Sequence, residues 1–143
     1  MKVAAVQLTS TGKITENQEL ALAKIREAAG NGARLIVLPE ATAQNFRSGR
    51  LDEQAQTLEG PFATAIQALA EELEVTVVAG MFCPADTVER DGKTINRVTN
   101  TALIAGPGVL GGYDKIHTYD AFDYRESDTV LALSLIHISE PTR

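Results

Sequence analysis

Apolar residues along the chain fall into short runs separated by stretches with helical spacing, which is typical of a sheet whose strands alternate with helices. An apolar run without a helical period predicts a buried strand over residues 2–8. Apolar spacing near 3.6 residues, with Thr15 opening a capping-box pattern, predicts a helix over residues 15–30. A second buried strand is predicted over residues 34–38, and Pro39 ends it because proline cannot donate a hydrogen bond to a sheet.

The alternation resumes after a long polar stretch. Residues 41–58 lack a strong period and are predicted to form an irregular loop with at most a short helical turn, and long ordered loops often carry function. Pro61, at a first turn where its missing N–H costs nothing, opens a helix predicted over residues 61–73. β-Branched and apolar residues then predict strands over residues 75–82 and 94–105.

Glycine-containing turns connect the later strands. The dipeptide Asp91-Gly92 predicts the turn between the two strands just described. Residues 106–111 fit the pattern G-x-G-x-x-G, but a strand is predicted over residues 109–116, where a phosphate-binding turn requires a helix. We therefore predict a hairpin reversal here and a loop after His117. The pattern as a whole predicts an α/β fold in which helices cover one face of a layered sheet.

Composition restricts the partners and the chemistry. The 143 residues include 13 Lys and Arg against 19 Asp and Glu, which gives a net charge of −6. An acidic chain without a basic cluster argues against nucleic acid as a partner. No apolar run has the length of a membrane span and the start lacks a signal-peptide pattern, so we expect a cytoplasmic protein. The single cysteine, Cys83, excludes an internal disulfide and a thiolate-rich metal site, and two histidines are too few for a His-rich one.

The last residues, 133–143, are predicted to be foreign to the protein. They follow an acidic loop without a turn, and they resemble the in-frame translation of a transposase-type sequencing-library adapter. On this interpretation residues 1–132 belong to the domain and the tail is excluded from arguments about the fold. The alternative is a native terminal strand, because several residues of the tail are apolar.

Two charged residues are predicted to lie at one edge of the sheet. Glu40 directly follows the second strand, at the position where open α/β sheets bind ligands. Lys115 lies at the end of the last predicted strand, with Tyr113 and His117 on the same face. Each residue alone has an ordinary interpretation, a solvated loop glutamate or a surface lysine at a strand edge. Together they predict a pair suited to proton transfer and to stabilising an oxyanion.

The order of these segments resembles the nitrilase superfamily of carbon–nitrogen hydrolases. The resemblance covers residues 1–131, and the segments that carry it are Met1 to Gln7, Leu35 to Glu40, Asn96 to Ala102, Tyr113 to His117 and Arg125 to Asp128. The combination is far more specific than any one segment. It implies a nitrilase-like α-β-β-α sandwich, of which this chain would form the N-terminal half only.

The resemblance also implies roles for three residues. By motif match, Glu40 would be the general base, Lys115 would hold and stabilise the tetrahedral intermediate, and Glu126 would support the site as a second glutamate. A cysteine thiolate would attack an amide or nitrile carbon, and the base would pass the thiol proton to the departing ammonia or amine before water cleaves the thioester. No metal or organic cofactor is implied.

The nucleophilic cysteine of the family is absent from this chain. In the family it follows the lysine motif on a later strand, whereas Cys83 precedes Lys115 and lacks the neighbours of that turn. We therefore interpret Cys83 as a small packed apolar residue. The chain as given is predicted to be catalytically inactive and, without the later layers, poorly stable alone.

Several functions stay open at this point. The favoured hypothesis is an amidase for a small linear amide, of the ω-amide or deaminated-glutathione type, because short loops at residues 44–50 and after His117 resemble compact amidases. The alternatives are an N-carbamoyl hydrolase, a nitrilase, and a non-catalytic α/β binding or interaction domain in which Glu40 and Lys115 are surface charges. For the full-length protein the resemblance implies a homodimer.

Overall fold

A computed structural model describes residues 1–121 and 124–133 of the chain, and in this part a mixed sheet is the central layer. The sheet has five strands there, in the spatial order β1-β2-β3-β4-β5. The strands are β1 (Val3–Ala5), β2 (Leu35–Val37), β3 (Thr76–Arg90), β4 (Lys93–Gly106) and β5 (Val109–Asp114). The first three strands run parallel, and β4 and β5 continue the sheet antiparallel. The predicted hairpin reversal after β4 is therefore confirmed.

Helices α1 (Ile14–Gly30) and α2 (Pro61–Glu72) agree with the predicted helices within one residue at each end. The predicted capping box at Thr15 is wrong, because Lys13 occupies the N-cap position without a side-chain hydrogen bond. The loop after β2 supplies the missing acceptor instead, since the Ile14 N–H donates to Gln54 Oε1 at 2.9 Å. In the part of the chain that the structure describes, no helix is long and apolar enough to span a bilayer.

The core lies between the helices and one face of the sheet. Register pairs Ile36 with Val77 and Ala79 with Leu103, so alternate residues of three strands project to the same side. All four are buried there together with Phe62 of α2 and the apolar stripe of α1. Burying a side chain such as Ile36 or Leu103 stabilises the fold by about 1.5–3 kcal/mol each.

The other face of the sheet, which we call the open face, has no α-helix on it in the described residues. Val3, Val37, Ile104 and Tyr113 project from it and keep between 36% and 54% of their surface exposed. An α-β-β-α sandwich packs one sheet against another, so the open face is the side on which a second sheet fits. The described residues thus supply one helical layer and one sheet of that architecture.

Two strands are longer than predicted. The hairpin of β3 and β4 continues past the sheet to Arg90 and Lys93, after a register shift between Pro84 and Thr87. The predicted turn at Asp91-Gly92 closes it, and both residues have the positive φ of a two-residue hairpin turn, 52° and 71°.

The prediction of a loop after His117 is wrong in part. Strands β6 (Asp120–Ala121) and β7 (Tyr124–Arg125) pair there, and a 3₁₀ helix follows at Glu126–Asp128. Hydrogen bonds from the Ser127 backbone and hydroxyl to the Asp120 carboxylate, at 3.0 and 2.7 Å, stabilise this turn without any periodic pattern in the sequence. Within the predicted tail, residues 134–143 lie outside the described residues, and the Leu133 N–H donates to the Lys115 carbonyl at 3.0 Å.

The loop that follows β2 crosses the open face in direct contact with the backbone of β3. The Gly80 N–H donates to the Pro39 carbonyl and the Gly80 carbonyl accepts from the Ala43 N–H, both at 3.1 Å. A Cβ atom at position 80 would lie 1.4 Å from the carbonyl oxygen of Glu40. Glycine is therefore the residue that allows this approach, and the contact fixes the height of Glu40 above the sheet.

Replacing Gly80 by alanine should displace this loop and destabilise the protein. Because the added carbon meets backbone atoms, which cannot rotate away, we expect Gly80→Ala to lower the free energy of unfolding of the full-length protein by at least about 2 kcal/mol. Urea denaturation measures the change. The matched control is Gly30→Ala, where the added carbon meets nothing within 4 Å. A Gly80→Ala variant as stable as this control would contradict the close contact.

Candidate active site

The three predicted site residues lie together on the open face of the sheet. The ammonium of Lys115 is 2.9 Å from Glu40 Oε1 and 3.0 Å from Glu126 Oε2. Glu40 is 75 positions and Glu126 is 11 positions away from the lysine in sequence, so the fold rather than the local chain brings them into contact. One cation thus joins two carboxylates that would otherwise repel each other.

Each of the three residues is held by a different element. Glu40 follows β2 and rests on the backbone at Gly80. Lys115 follows β5, where its N–H donates to the carbonyl of Asn100 in β4 at 2.8 Å. Glu126 opens the 3₁₀ helix, and its carboxylate also accepts the Tyr119 N–H at 2.7 Å. The site is therefore assembled from the carboxyl end of a parallel strand, the end of an antiparallel strand and a connecting segment.

Asn100 also belongs to this site, although no pattern in the sequence pointed to it. Its amide Nδ2 donates to Glu40 Oε1 at 2.7 Å and to Glu126 Oε1 at 3.2 Å. The residue is only 5% exposed and stands opposite Phe82 in the register of β3 and β4. The signal that could have revealed it is an amide at an inward position of a strand, since buried polar side chains are almost always hydrogen-bonded.

The ionised forms of Glu40 and Lys115 stabilise each other. Burial alone would raise the pKa of Glu40, but hydrogen bonds from Lys115 and Asn100 outweigh it and hold that pKa below its ordinary value. Burial alone would lower the pKa of Lys115, yet its hydrogen bonds to Glu40 and Glu126 raise it above the ordinary value. Glu40 is therefore a carboxylate, and Lys115 an ammonium, across the neutral range.

A cavity of about 250 Å³ opens beside this cluster. Its wall is formed mainly by apolar groups, and the residues around it are Leu38, Pro39, Glu40, Val78, Ala79, Gly80, Asn100, Thr101, Ala102, Tyr113 and Lys115. Glu40 and Lys115, which lie 2.9 Å apart, form the charged part of this wall. An apolar pocket with a few polar groups at one end is the usual form of a small-molecule site.

Cys83 lies apart from the cluster. In β3 it pairs with Thr99, one position along from the Phe82 and Asn100 pair, so its side chain projects from the helix face of the sheet. Burial raises the pKa of the Cys83 thiol, which disfavours the reactive thiolate. Across residues 1–121 and 124–133, no group of three His, Cys, Asp or Glu side chains is arranged to hold a metal ion.

The sequence of the chain is similar to those of known hydrolases. The sequence model for carbon-nitrogen hydrolases matches residues 2–139. The chain belongs to that family. A hydrolase of Mycobacterium tuberculosis is 42% identical over 135 residues, which cover 91% of this chain and 45% of the relative. The deaminated glutathione amidase of Synechocystis is 36% identical over 135 residues, which cover 90% of this chain and 48% of the relative.

Solved structures of carbon-nitrogen hydrolases share the fold. An amidase from Nesterenkonia superposes with a TM-score of 0.71 at 18% identity, and the match covers 94% of this chain and 48% of the other. The predicted nitrilase-like α/β fold is thereby confirmed. The chain spans about half the length of the curated relatives it matches, so it forms part of the full fold.

Removing the lysine should leave the buried Glu126 carboxylate, whose side chain is 2% exposed, without its counter-ion. We expect Lys115→Met to lower the free energy of unfolding of the full-length protein by about 3 kcal/mol. Adding Glu126→Gln should recover part of this loss, which a double-mutant cycle in urea measures. The control is Lys24→Met, which breaks an exposed helical pair with Glu27 and should cost about 0.5 kcal/mol or less. Equal losses in the two lysine variants would contradict a buried ion pair.

Proposed function

We propose that the protein is an amidase that cleaves a small linear amide with Glu40, Lys115 and Glu126, together with a cysteine that lies outside these 143 residues. The ion-paired cluster at the edge of the cavity is the observation that supports this most directly. It places a carboxylate and a fixed cation around a space of small-molecule size in a chain of the carbon-nitrogen hydrolase family.

Glu40 is proposed as the general base. Both of its side-chain hydrogen bonds fall on Oε1, and Oε2 accepts none from the described residues. Its side chain is 52% exposed, so this second oxygen is accessible to a reacting group. A carboxylate whose pKa is held below its ordinary value is ionised at neutral pH and can accept the proton of a thiol.

Lys115 is proposed to stabilise the oxyanion. Its raised pKa keeps it charged, and it makes contact with two carboxylates, Glu40 and Glu126. The ammonium donates to both oxygens of Glu126, at 3.0 and 3.3 Å, and the longer of these bonds is the one that a substrate oxygen would replace as negative charge develops on it. Glu126 is proposed as the supporting residue, because its buried carboxylate accepts hydrogen bonds from the ammonium and does not line the cavity itself.

The reaction then needs no group besides these residues, the cysteine and water. Sulfur attacks the amide carbon while Glu40 takes the thiol proton, and the carbonyl oxygen becomes an oxyanion beside Lys115. Collapse of this intermediate breaks the carbon–nitrogen bond, and the proton passes from the glutamic acid to the departing ammonia. Water, deprotonated by the same carboxylate, then cleaves the thioester, which releases a carboxylic acid and regenerates the thiol.

The proposed substrate is an ω-amide of a small acid or deaminated glutathione. The Synechocystis relative, at 36% identity, is a deaminated glutathione amidase. The cavity of about 250 Å³ is large enough for a small acyl group, and its wall is largely apolar, with Val78 and Ala102 among the apolar residues. This choice of substrate also fits the chemistry, since an amide oxygen would meet the lysine at the charged end.

The full-length protein, obtained by extending the reading frame in the source DNA, should release ammonia from linear amides. We expect Glu40→Gln and Lys115→Met to lower kcat/KM at least about 100-fold, because each removes a group that acts in the transition state. An enzyme-coupled ammonia assay on succinamate, deaminated glutathione, N-carbamoyl amino acids and a nitrile measures this. Activity confined to the last two compounds, or full activity of Glu40→Gln, would overturn the proposal.

Cys83 should be dispensable in the same assay. Because its thiol lies on the helix face, away from Glu40 and Lys115, Cys83→Ala should retain kcat/KM within about twofold of the wild type. The 143-residue chain alone should release no ammonia, since it contains no other cysteine. Loss of activity in Cys83→Ala with unchanged thermal stability, or turnover by the short chain, would place the nucleophile at Cys83 instead.

A further inference from the structure

Asn100 contacts all three charged residues of the site. Its side-chain Nδ2 donates to a carboxylate oxygen of Glu40 at 2.7 Å and of Glu126 at 3.2 Å. Its backbone carbonyl accepts the Lys115 N–H at 2.8 Å. The residue is 5% exposed and lies within β4, where its pairing with Phe82 of β3 and the hydrogen bond from Lys115 fix its position.

The chemistry of the two acceptors explains why an amide stands at this position. Ionised carboxylates only accept hydrogen bonds, so the NH₂ group and not the oxygen of Asn100 must face Glu40 and Glu126. One nitrogen with two protons can serve both carboxylates at once, whereas a hydroxyl has a single proton to donate. A cationic side chain would compete with Lys115, and an acidic one would add a third negative charge. The neutral double donor therefore fits a site that already contains two carboxylates and one ammonium.

We propose that Asn100 is the positioning residue of this active site. Its amide holds the Glu40 carboxylate ionised and oriented beside Lys115, and keeps the Glu126 carboxylate apart from the Glu40 carboxylate. The inference rests on the proposed function, because it takes Glu40 as the base. Asn100 acts through Glu40 and Lys115 and does not itself touch the reacting atoms. Its removal should therefore lower kcat and leave KM nearly unchanged.

Replacing Asn100 should shift the pH dependence of the activity in a defined direction. The charged groups near Glu40 are Lys115, which directly follows β5, and Glu126 of the 3₁₀ helix; Asn100 is the neutral donor, and Tyr113 of β5 lines the same cavity. A hydrogen bond to the ionised form lowers a carboxyl pKa, so losing it must raise the pKa of Glu40. Activity that needs the carboxylate is then lost at a higher pH than in the wild type.

The test compares Asn100→Leu, Asn100→Asp and the control Asn96→Asp in the full-length protein. Asn100→Leu removes both donors at similar volume, and we expect kcat to fall about 10- to 100-fold with KM within about twofold. The acid limb of the profile of kcat/KM against pH should move to higher pH. Asn100→Asp adds a negative charge and should move it further. Asn96→Asp places the same charge on the same strand at an exposed position and should leave the limb in place.

A merely structural role gives a different pattern. If packing were the contribution of Asn100, the isosteric Asn100→Asp would lower kcat less than Asn100→Leu, and the acid limb would stay where it is in Asn100→Leu, which adds no charge. A smaller loss of kcat in Asn100→Asp than in Asn100→Leu would overturn the inference. So would an acid limb that does not move in Asn100→Leu while KM rises. Asn100→Ser is the substitute if Asn100→Leu and Asn100→Asp fail to fold, because serine is smaller and keeps a single donor. This variant must still move the acid limb to higher pH for the inference to hold.

A second measurement separates this inference from the proposed function. Carbon-13 NMR titration of the glutamate carboxyl groups, with Glu40 assigned through Glu40→Gln, reports the pKa of Glu40 without any turnover. A pKa of Glu40 that rises in Asn100→Leu and rises more in Asn100→Asp supports the role of Asn100 even where the substrates named above are wrong. An unchanged pKa beside a fully active wild type overturns the role of Asn100 and leaves the amidase proposal standing.

Discussion

The arrangement of the site depends on one buried charge. The Glu126 side chain is almost fully removed from solvent, at 2% exposure, and an unpaired carboxylate in such a place would cost several kcal/mol. The Lys115 ammonium and the Tyr119 N–H compensate it at 3.0 and 2.7 Å. The same ammonium donates to Glu40 at 2.9 Å and lines the cavity, so a carboxylate that is not part of the cavity wall helps to set the charge of the site.

Strand β4 brings the rest of the site into register with this charge. Val98 exchanges backbone hydrogen bonds with Thr129 and Leu131 at 2.9 and 2.7 Å, which fixes the segment that begins at Glu126. Two positions further on, Asn100 projects from the same face and receives the Lys115 N–H on its carbonyl. A single strand therefore determines the distance between segments that are far apart in sequence, and the strand is itself held by its long pairing with β3.

Comparison of the sequence with the structure shows which features a pattern can predict. The helices, the parallel strands and the hairpin turn at Asp91-Gly92 follow from periodicity and turn chemistry, and the motif resemblance pointed to Glu40, Lys115 and Glu126, which the structure places in contact. The capping of α1 by Gln54 and the role of Asn100 in the network arise from contacts between residues 40 and 60 positions apart. Such contacts leave no local periodic signal, because they depend on how the strands are placed side by side.

The backbone contact at Gly80 has a consequence for how this architecture tolerates change. Atoms at van der Waals separation resist compression far more strongly than side chains resist repacking. Glu40 rests on such a contact, directly before an irregular loop that extends to residue 58. Substitutions, insertions and deletions in that loop therefore have little effect on the position of Glu40, and the shape of the pocket can diverge while this carboxylate stays at a constant height above the sheet.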